Sequence, residues 1–106
     1  MADRAVRRSE AWYAGLGVKG MAQADRALDR LIERGPALRM PHSRSLDDGL
    51  LELRFTCRDH AQRITYYFDH QRAVITLTAF VKQRQNERRE VQRAHRAMRQ
   101  RKERDR

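Results

Sequence analysis

Three short segments between residues 50 and 82 alternate apolar and polar side chains, and this alternation constrains the fold more than any other feature. The predicted strands are Leu50–Cys57, Arg63–Phe68 and Ala73–Lys82. Only a few residues separate consecutive strands, and both links contain a turn-forming residue, Asp59 in the first and Asp69 in the second. The sequence therefore predicts an antiparallel meander with one packed face and one solvent-exposed face.

The same alternation also separates polar and basic side chains from apolar ones, because successive side chains along a strand point to opposite faces of the sheet. The more apolar face is expected to pack against helices. The opposite face collects polar and basic side chains around an aromatic ring: Arg54, Arg63, Thr65, Tyr67, Thr78, Phe80 and Lys82. Such a face suits phosphates and a stacked base. An ordinary solvated sheet face with a few arginines fits the pattern equally well.

Helices are predicted on both sides of the strands. Ser9–Leu16 reads as a short helix with Ser9 as N-cap, and residues 19–34 carry an apolar stripe that ends at Gly35-Pro36. Residues 36–49 are predicted to be a connector. A last helix begins at Asn86 and is expected to fray beyond Gln100.

These elements predict an α+β fold in which two N-terminal helices pack on an antiparallel sheet of three to four strands, followed by a C-terminal helix. A chain of 106 residues makes one domain, residues 1–106, with an ordered core at about 9–99 and a basic tail at 100–106. Whether residues 2–8 add a further strand stays open, because two consecutive arginines at their end argue against a buried strand.

Charge is concentrated at the C-terminal end of the chain. The net charge is +10, and residues 82–106 hold 11 Lys and Arg against four Asp and Glu. This asymmetry favours a polyanionic partner, of which nucleic acid is the commonest. The alternative is a helix whose arginines only keep it soluble.

Several classes of protein are disfavoured by composition. There is no apolar run near 18 residues and no secretory signal at the N-terminus, so a cytoplasmic protein without a membrane span is expected. The single cysteine, Cys57, has no partner for an internal disulfide and reads as a small buried side chain. The four histidines show no metal-ligand spacing, so no metal and no cofactor is predicted.

Three motifs resemble a known family. Residues 46–55 read L-D-D-G-L-L-E-L-R-F, residues 63–68 read R-I-T-Y-Y-F, and residues 75–82 read I-T-L-T-A-F-V-K, followed by Glu90, Val91 and Ala94. Their order and spacing resemble the phage-derived, HigB-like branch of the RelE/ParE toxin superfamily, over roughly residues 12–98.

The resemblance implies a toxin of a type II toxin–antitoxin system that cuts mRNA on the ribosome without a metal. In that chemistry the 2′-hydroxyl of RNA attacks the adjacent phosphate, and basic side chains hold the scissile group. The implied partners are mRNA on the ribosome and a cognate helix-turn-helix antitoxin. Two other functions stay open, which are a ParE-like toxin that poisons DNA gyrase and a catalytically silent, basic RNA-binding module.

Candidate site residues follow from the resemblance, position by position. Arg63 matches the phosphate-binding arginine of the sheet, Lys82 is placed for a leaving-group or phosphate contact, and Arg54 is as consistent with a structural role as with a catalytic one. The candidate catalytic residues are Arg63, Lys82, Arg54 and Tyr67, and the candidate RNA-binding residues are Arg84, Arg88, Arg89 and Phe80.

The chain also departs from the pattern of this family. Leu50 and Glu52 stand where RelE-type enzymes often have lysines, Gln83 replaces a second lysine and Thr78 replaces a histidine. No obvious general base is left. Tyr67 and His95 are the candidates, although a tyrosine is mostly protonated near pH 7 and His95 is as well explained by packing on the sheet.

Overall fold

The computed structural model describes residues 6–7, 17–57 and 59–106. Within them the chain forms five strands and two α-helices, with a short 3₁₀ turn at Gly35–Ala37. In chain order these elements are β1 (Val6–Arg7), α1 (Gly17–Arg34), β2 (Ser43–Ser45), β3 (Leu51–Cys57), β4 (His60–Phe68), β5 (Val74–Val81) and α2 (Glu87–Arg104). The strands form one sheet in the order β1-β5-β4-β3-β2. Strands β2 to β5 pair antiparallel, whereas β1 pairs with β5 in parallel.

The prediction of two N-terminal helices on a sheet of three to four strands is wrong. In the part of the chain that the structure describes, one helix precedes the four antiparallel strands, and β1 adds a fifth strand. The predicted helix Ser9–Leu16 lies outside the described residues. Strand β2 falls within the predicted connector, because three residues are too few to show an alternation. The architecture is still α+β, with helices and antiparallel strands in separate parts of the chain.

Helix α1 confirms the apolar stripe and begins two residues before the predicted start. Its residues Ala24, Ala27, Leu28 and Leu31 are buried against one face of the sheet, where they meet side chains such as Leu53, Ile64 and Tyr66. The helix ends at Arg34, and the next residue, Gly35, has a φ of +56°, the left-handed conformation that glycine adopts without strain.

Helix α2 covers part of the opposite face, which was expected to be exposed. Ala94 and Met98 are buried against a second apolar cluster that includes Leu50, Tyr67 and Ile75. The helix continues to Arg104, beyond the point where fraying is predicted, and an ion pair joins Arg101 in its last turn to Asp105 just after it. Two cores therefore sandwich the sheet, one under each helix.

A β-bulge breaks the alternation along β5. Thr65 lies opposite Thr78, but the next residue, Tyr66, lies opposite Thr76, so Leu77 is an extra residue in β5. Because a bulge reverses the faces on its two sides, Ile75 joins the core under α2 while Ala79 packs against the core under α1. Strict alternation along β5 would place these two side chains on the same face.

Candidate functional site

Six charged residues lie close to one another at the face of the sheet that α2 partly covers. Cross-strand pairing positions four of them, because Arg44 lies opposite Glu52 and Arg54 lies opposite Arg63, and residues directly opposite each other share a face. We call this group the charged cluster: Arg44, Glu52, Arg54, Arg63, Lys82 and Glu87.

Glu52 is the centre of the charged cluster and is completely buried. Its Oε1 lies 3.5 Å from Nε of Arg63 and 4.0 Å from Nε of Arg54. Neither carboxylate oxygen accepts a hydrogen bond from another described residue, and Nε of Arg63 donates none. Arg63 is almost as buried and donates from Nη1 to the carbonyl of Gln62 at 3.0 Å.

Burial dominates the protonation of this pair. Desolvation raises the pKa of Glu52, and the positive charge of Arg63 offsets this only in part. Desolvation likewise lowers the pKa of Arg63, with repulsion from Arg54 as the next cause. Ion-pair distances alone would favour a lowered pKa for the Glu52 carboxyl, but that effect is weakened because no hydrogen bond from the described residues stabilises the ionised form. The site therefore holds a buried carboxyl group with a raised pKa beside two guanidinium groups.

Glu87, in the first turn of α2, joins the two ends of the charged cluster. Its Oε2 accepts a hydrogen bond from Nζ of Lys82 at 3.1 Å, and its Oε1 lies 3.5 Å from Nη1 of Arg44. The hydrogen bond from Lys82 lowers the pKa of the Glu87 carboxyl. Glu87 therefore holds Lys82, which follows β5, close to Arg44 on the edge strand β2.

Asn86 shapes the turn between β5 and α2. Its Oδ1 accepts the backbone N–H of Gln83 at 2.9 Å, and its Nδ2 donates to the carbonyl of Val81 at 2.9 Å. These two bonds bracket Lys82 on both sides. The position of Lys82 relative to Glu87 is therefore set by the backbone of the turn as well as by the ion pair.

The structure brings three predicted catalytic residues, Arg54, Arg63 and Lys82, into the charged cluster. Phe80 lies opposite Arg63 in the sheet, but its side chain is 8% exposed, which leaves little ring surface for stacking a base. Arg84 and Arg89 line an open depression together with Gln83, Gln85 and Asn86. Arg88 is exposed at the start of α2.

Tyr67 lies outside the charged cluster. It is buried under the far end of α2, where Nζ of Lys102 is 5.1 Å from the ring centroid, and burial raises its pKa. Lys102 and Glu87 are separated by about 22 Å along the helix axis at 1.5 Å per residue. His95 is likewise engaged, since its Nε2 lies 3.0 Å from the carbonyl oxygen of Leu46 and can only donate to it.

The site residues predicted from the sequence do not include three members of the charged cluster, which are Arg44, Glu52 and Glu87. Glu52 carries a usable signal in the sequence, because the alternation along residues 50–57 places it on the same face as Arg54. Glu87 reads as an ordinary acidic residue in a first helical turn, and Arg44 has no signal because β2 is too short.

In the described part of the chain, no three His, Cys, Asp or Glu side chains are grouped so that they could hold a metal ion, and neither helix could cross a membrane.

A sequence model of the phage-derived Gp49-like protein family (DUF891) matches residues 11–99. The chain belongs to the Gp49-like family. This family consists of RelE-like toxins of toxin–antitoxin systems, so the chain has a cognate antitoxin as its expected partner. Searches of curated proteins and of solved structures returned no match. The expectation of a RelE-like toxin is thereby confirmed, and the finer assignment of this Gp49-like protein to a HigB-like branch stays a prediction.

Proposed function

We propose that this Gp49-like toxin is a metal-independent endoribonuclease that cuts mRNA on the ribosome. The observation that carries the proposal is the buried carboxyl of Glu52, with its raised pKa, held between the guanidinium groups of Arg54 and Arg63. A titratable group perturbed by burial beside a specific charge partner is typical of functional sites.

The reaction needs three groups from the protein. The 2′-oxygen of RNA forms a bond to the adjacent phosphorus while the bond from phosphorus to the 5′-oxygen breaks, giving a 2′,3′-cyclic phosphate and a free 5′-hydroxyl. One group must accept the proton of the 2′-hydroxyl, and another must return a proton to the leaving 5′-oxygen. Cationic donors must stabilise the charge that builds up on the non-bridging phosphate oxygens.

The charged cluster contains candidates for all three roles. Glu52 is the proton acceptor, because a carboxylate whose pKa is raised by burial is a stronger base than an ordinary one. Arg54 and Arg63 bind the phosphate, for which the planar guanidinium is well suited. We assign Lys82, the cation at the exit of β5, to the return of the proton to the leaving 5′-oxygen. Because Glu52 is completely buried, we infer that Arg54, whose Nε lies 4.0 Å from its Oε1, turns outwards onto the phosphate as the substrate binds.

The direct test is cleavage by the purified toxin. Ribosome-bound mRNA treated with the toxin in the presence of EDTA should yield fragments that end in a 2′,3′-cyclic phosphate. Arg54→Ala should lower the cleavage rate by about 100-fold or more, and Glu52→Gln should lower it by a similar factor. Arg26→Ala, on the exposed side of α1, is the matched control and should cleave at the rate of the parent toxin. Intact mRNA with normal translation would contradict the proposal.

One observation favours a second function, that of a toxin which poisons DNA gyrase through protein contacts. All four cations of the charged cluster are paired with Glu52 or Glu87, which reduces the positive charge offered to RNA. A toxin of this kind should induce a DNA-damage response in cells while mRNA half-lives stay unchanged. A replacement of Glu52 by Gln would then leave growth arrest intact.

The antitoxin is the remaining partner. We propose a helix-turn-helix antitoxin, encoded by a small gene next to that of the toxin. Co-expression of the neighbouring gene should restore growth, and the two proteins should copurify. A neighbouring product that neither restores growth nor copurifies would contradict this pairing.

A further inference from the structure

The outer side of α2 carries an unpaired row of arginines that the reaction proposed above does not use. Arg88, Arg89, Arg96 and Arg99 are all exposed. No hydrogen bond or ion pair joins any of them to another residue in the described part of the chain. At 100° and 1.5 Å per residue, the four point to one side of the helix and span about 16 Å along it. We call them the arginine stripe.

The composition of this side of α2 indicates what it binds. The exposed positions between residue 88 and residue 100 are occupied only by Arg and Gln. Specific protein–protein interfaces have an apolar or aromatic centre, and sites for single-stranded nucleic acid have aromatic side chains on which bases stack. The outer side of α2 has neither. Arginine and glutamine donate hydrogen bonds to phosphate oxygens, which is the contact that positions proteins on a double helix.

The arginine stripe is also separate from the charged cluster. Helix α2 turns its other side, with Ala94 and Met98, towards the sheet, so the stripe points away from Glu52. At the N-terminal end of the arginine stripe, Arg89 also lines the open depression that includes Arg84. The basic surface is therefore continuous from the end of β5 along the helix, and a polyanion can follow it without entering the site of cleavage.

We propose that the arginine stripe binds the phosphate backbone of a nucleic-acid double helix and so orients the toxin on folded RNA. That the double helix is RNA rests on the proposed function, because a toxin that acts on the ribosome meets RNA helices there. The stripe recognises no sequence, since its contacts are to phosphates. Its role is to dock the toxin, whereas the single-stranded mRNA is bound by the charged cluster.

The test measures binding and not cleavage. The probe is a fluorescent RNA hairpin of about 16 base pairs with 2′-O-methyl groups, which removes the hydroxyl that the proposed reaction needs. The variant Arg96→Glu/Arg99→Glu should bind it at least tenfold more weakly at about 0.1 M salt. The slope of the logarithm of the binding constant against the logarithm of salt concentration should also become shallower by about two, because about two fewer counterions are released on binding. The same variant should lose less than twofold in affinity for a single-stranded 2′-O-methyl probe.

The matched control is Arg26→Glu/Arg34→Glu on α1. These arginines are also exposed and the change in net charge is identical, but α1 packs on the opposite face of the sheet. The control should keep its affinity for the hairpin within about threefold.

Three results would overturn the proposal. One is an equal loss of hairpin affinity in both double variants, which would mean that only net charge matters. Another is binding to a DNA duplex of the same sequence but not to the RNA hairpin. The third is unchanged hairpin affinity with loss of antitoxin binding, which would assign the stripe to the antitoxin. Because the probe cannot be cut by 2′-hydroxyl attack, each result stands whether or not the toxin proves to be a nuclease.

Discussion

Glu52 is completely buried against Arg63, with its Oε1 3.5 Å from Nε of the arginine, yet no hydrogen bond from the described residues joins the two groups at these atoms. Such a pair is a poor source of stability, because the cost of removing both charges from water can exceed their attraction. The raised pKa of Glu52 and the lowered pKa of Arg63 both indicate that desolvation dominates. We infer that the pair is present for function and that the fold is less stable because of it.

The pH dependence of stability follows from the raised pKa of Glu52. The folded protein holds a proton on this carboxyl at pH values where the unfolded chain, with a pKa near 4.5, has lost it. The contribution of Glu52 to the free energy of unfolding therefore falls as pH rises from below 4.5 through the raised folded value. Glu52→Gln should remove this fall, and at pH 7 it should be at least as stable as the parent in urea denaturation. A variant markedly less stable than the parent at pH 7 would show that the ionised pair stabilises the fold.

Replacing the arginine should have the opposite effect. Arg63→Met leaves a buried carboxylate without its nearest cation, so a loss of about 3 kcal/mol in the free energy of unfolding at pH 7 is expected. The double variant Glu52→Met/Arg63→Met removes both charges and should recover most of that loss. Denaturation of the two single variants and the double variant gives the coupling energy directly. Additive losses in the double variant would contradict a coupled pair.

The elements that the sequence predicts well are those with a long, regular pattern. The stripe of α1 and the stop at Gly35 could be predicted because each depends on local chemistry. Strands β3 to β5 follow from their alternation. The bulge at Leu77 could not be predicted, because its effect appears only when two strands are paired. The contact of α2 with the sheet was also missed, since an apolar stripe shows that a helix packs but not on which face.

The candidate site was predicted in part for the same reason. Arg54, Arg63 and Lys82 stand out as cations at fixed positions of alternating strands. The importance of Glu52 depends on its complete burial and on the contacts of both arginines, and burial of a polar side chain is decided by tertiary packing. Tyr67 is displaced from the site because α2 covers that end of the sheet.

Asn86 should be necessary for the geometry around Lys82. Asn86→Ala removes the hydrogen bonds to Gln83 and Val81, and we expect a loss of about 1–2 kcal/mol in the free energy of unfolding. Hydrogen exchange of the amide of Gln83 should accelerate more than that of amides in the centre of β4. Asn86→Asp keeps the acceptor for Gln83 but loses the donor to Val81, so an intermediate loss is expected. If Asn86→Ala leaves both quantities unchanged, the side chain does not hold the turn.

Tyr67 offers a test of whether the buried tyrosine takes part in catalysis. Because it lies under the C-terminal part of α2 beside Lys102, Tyr67→Phe should keep the cleavage rate within about twofold, while Tyr67→Ala should lose about 3 kcal/mol of stability through the cavity left behind. Cleavage is measured on the same RNA at equal concentrations of folded toxin. A large loss of activity in Tyr67→Phe without loss of stability would show that the tyrosine hydroxyl takes part in catalysis.

Glu87 is expected to restrain RNA binding, because it neutralises the two outer cations of the charged cluster, Lys82 and Arg44. Its pKa is lowered by the hydrogen bond from Lys82, so the ion pair contributes stability above the ordinary carboxyl pKa and loses it as pH falls through the lowered value. Both side chains are about one-third exposed, which limits this contribution to less than about 1 kcal/mol. Glu87→Gln should therefore change stability little but tighten the binding of a single-stranded 2′-O-methyl RNA several-fold at low salt. The matched control is Glu90→Gln, which removes the same charge next to Arg93. An equal gain in both variants would mean that net charge, and not the release of Lys82 and Arg44, is what strengthens binding.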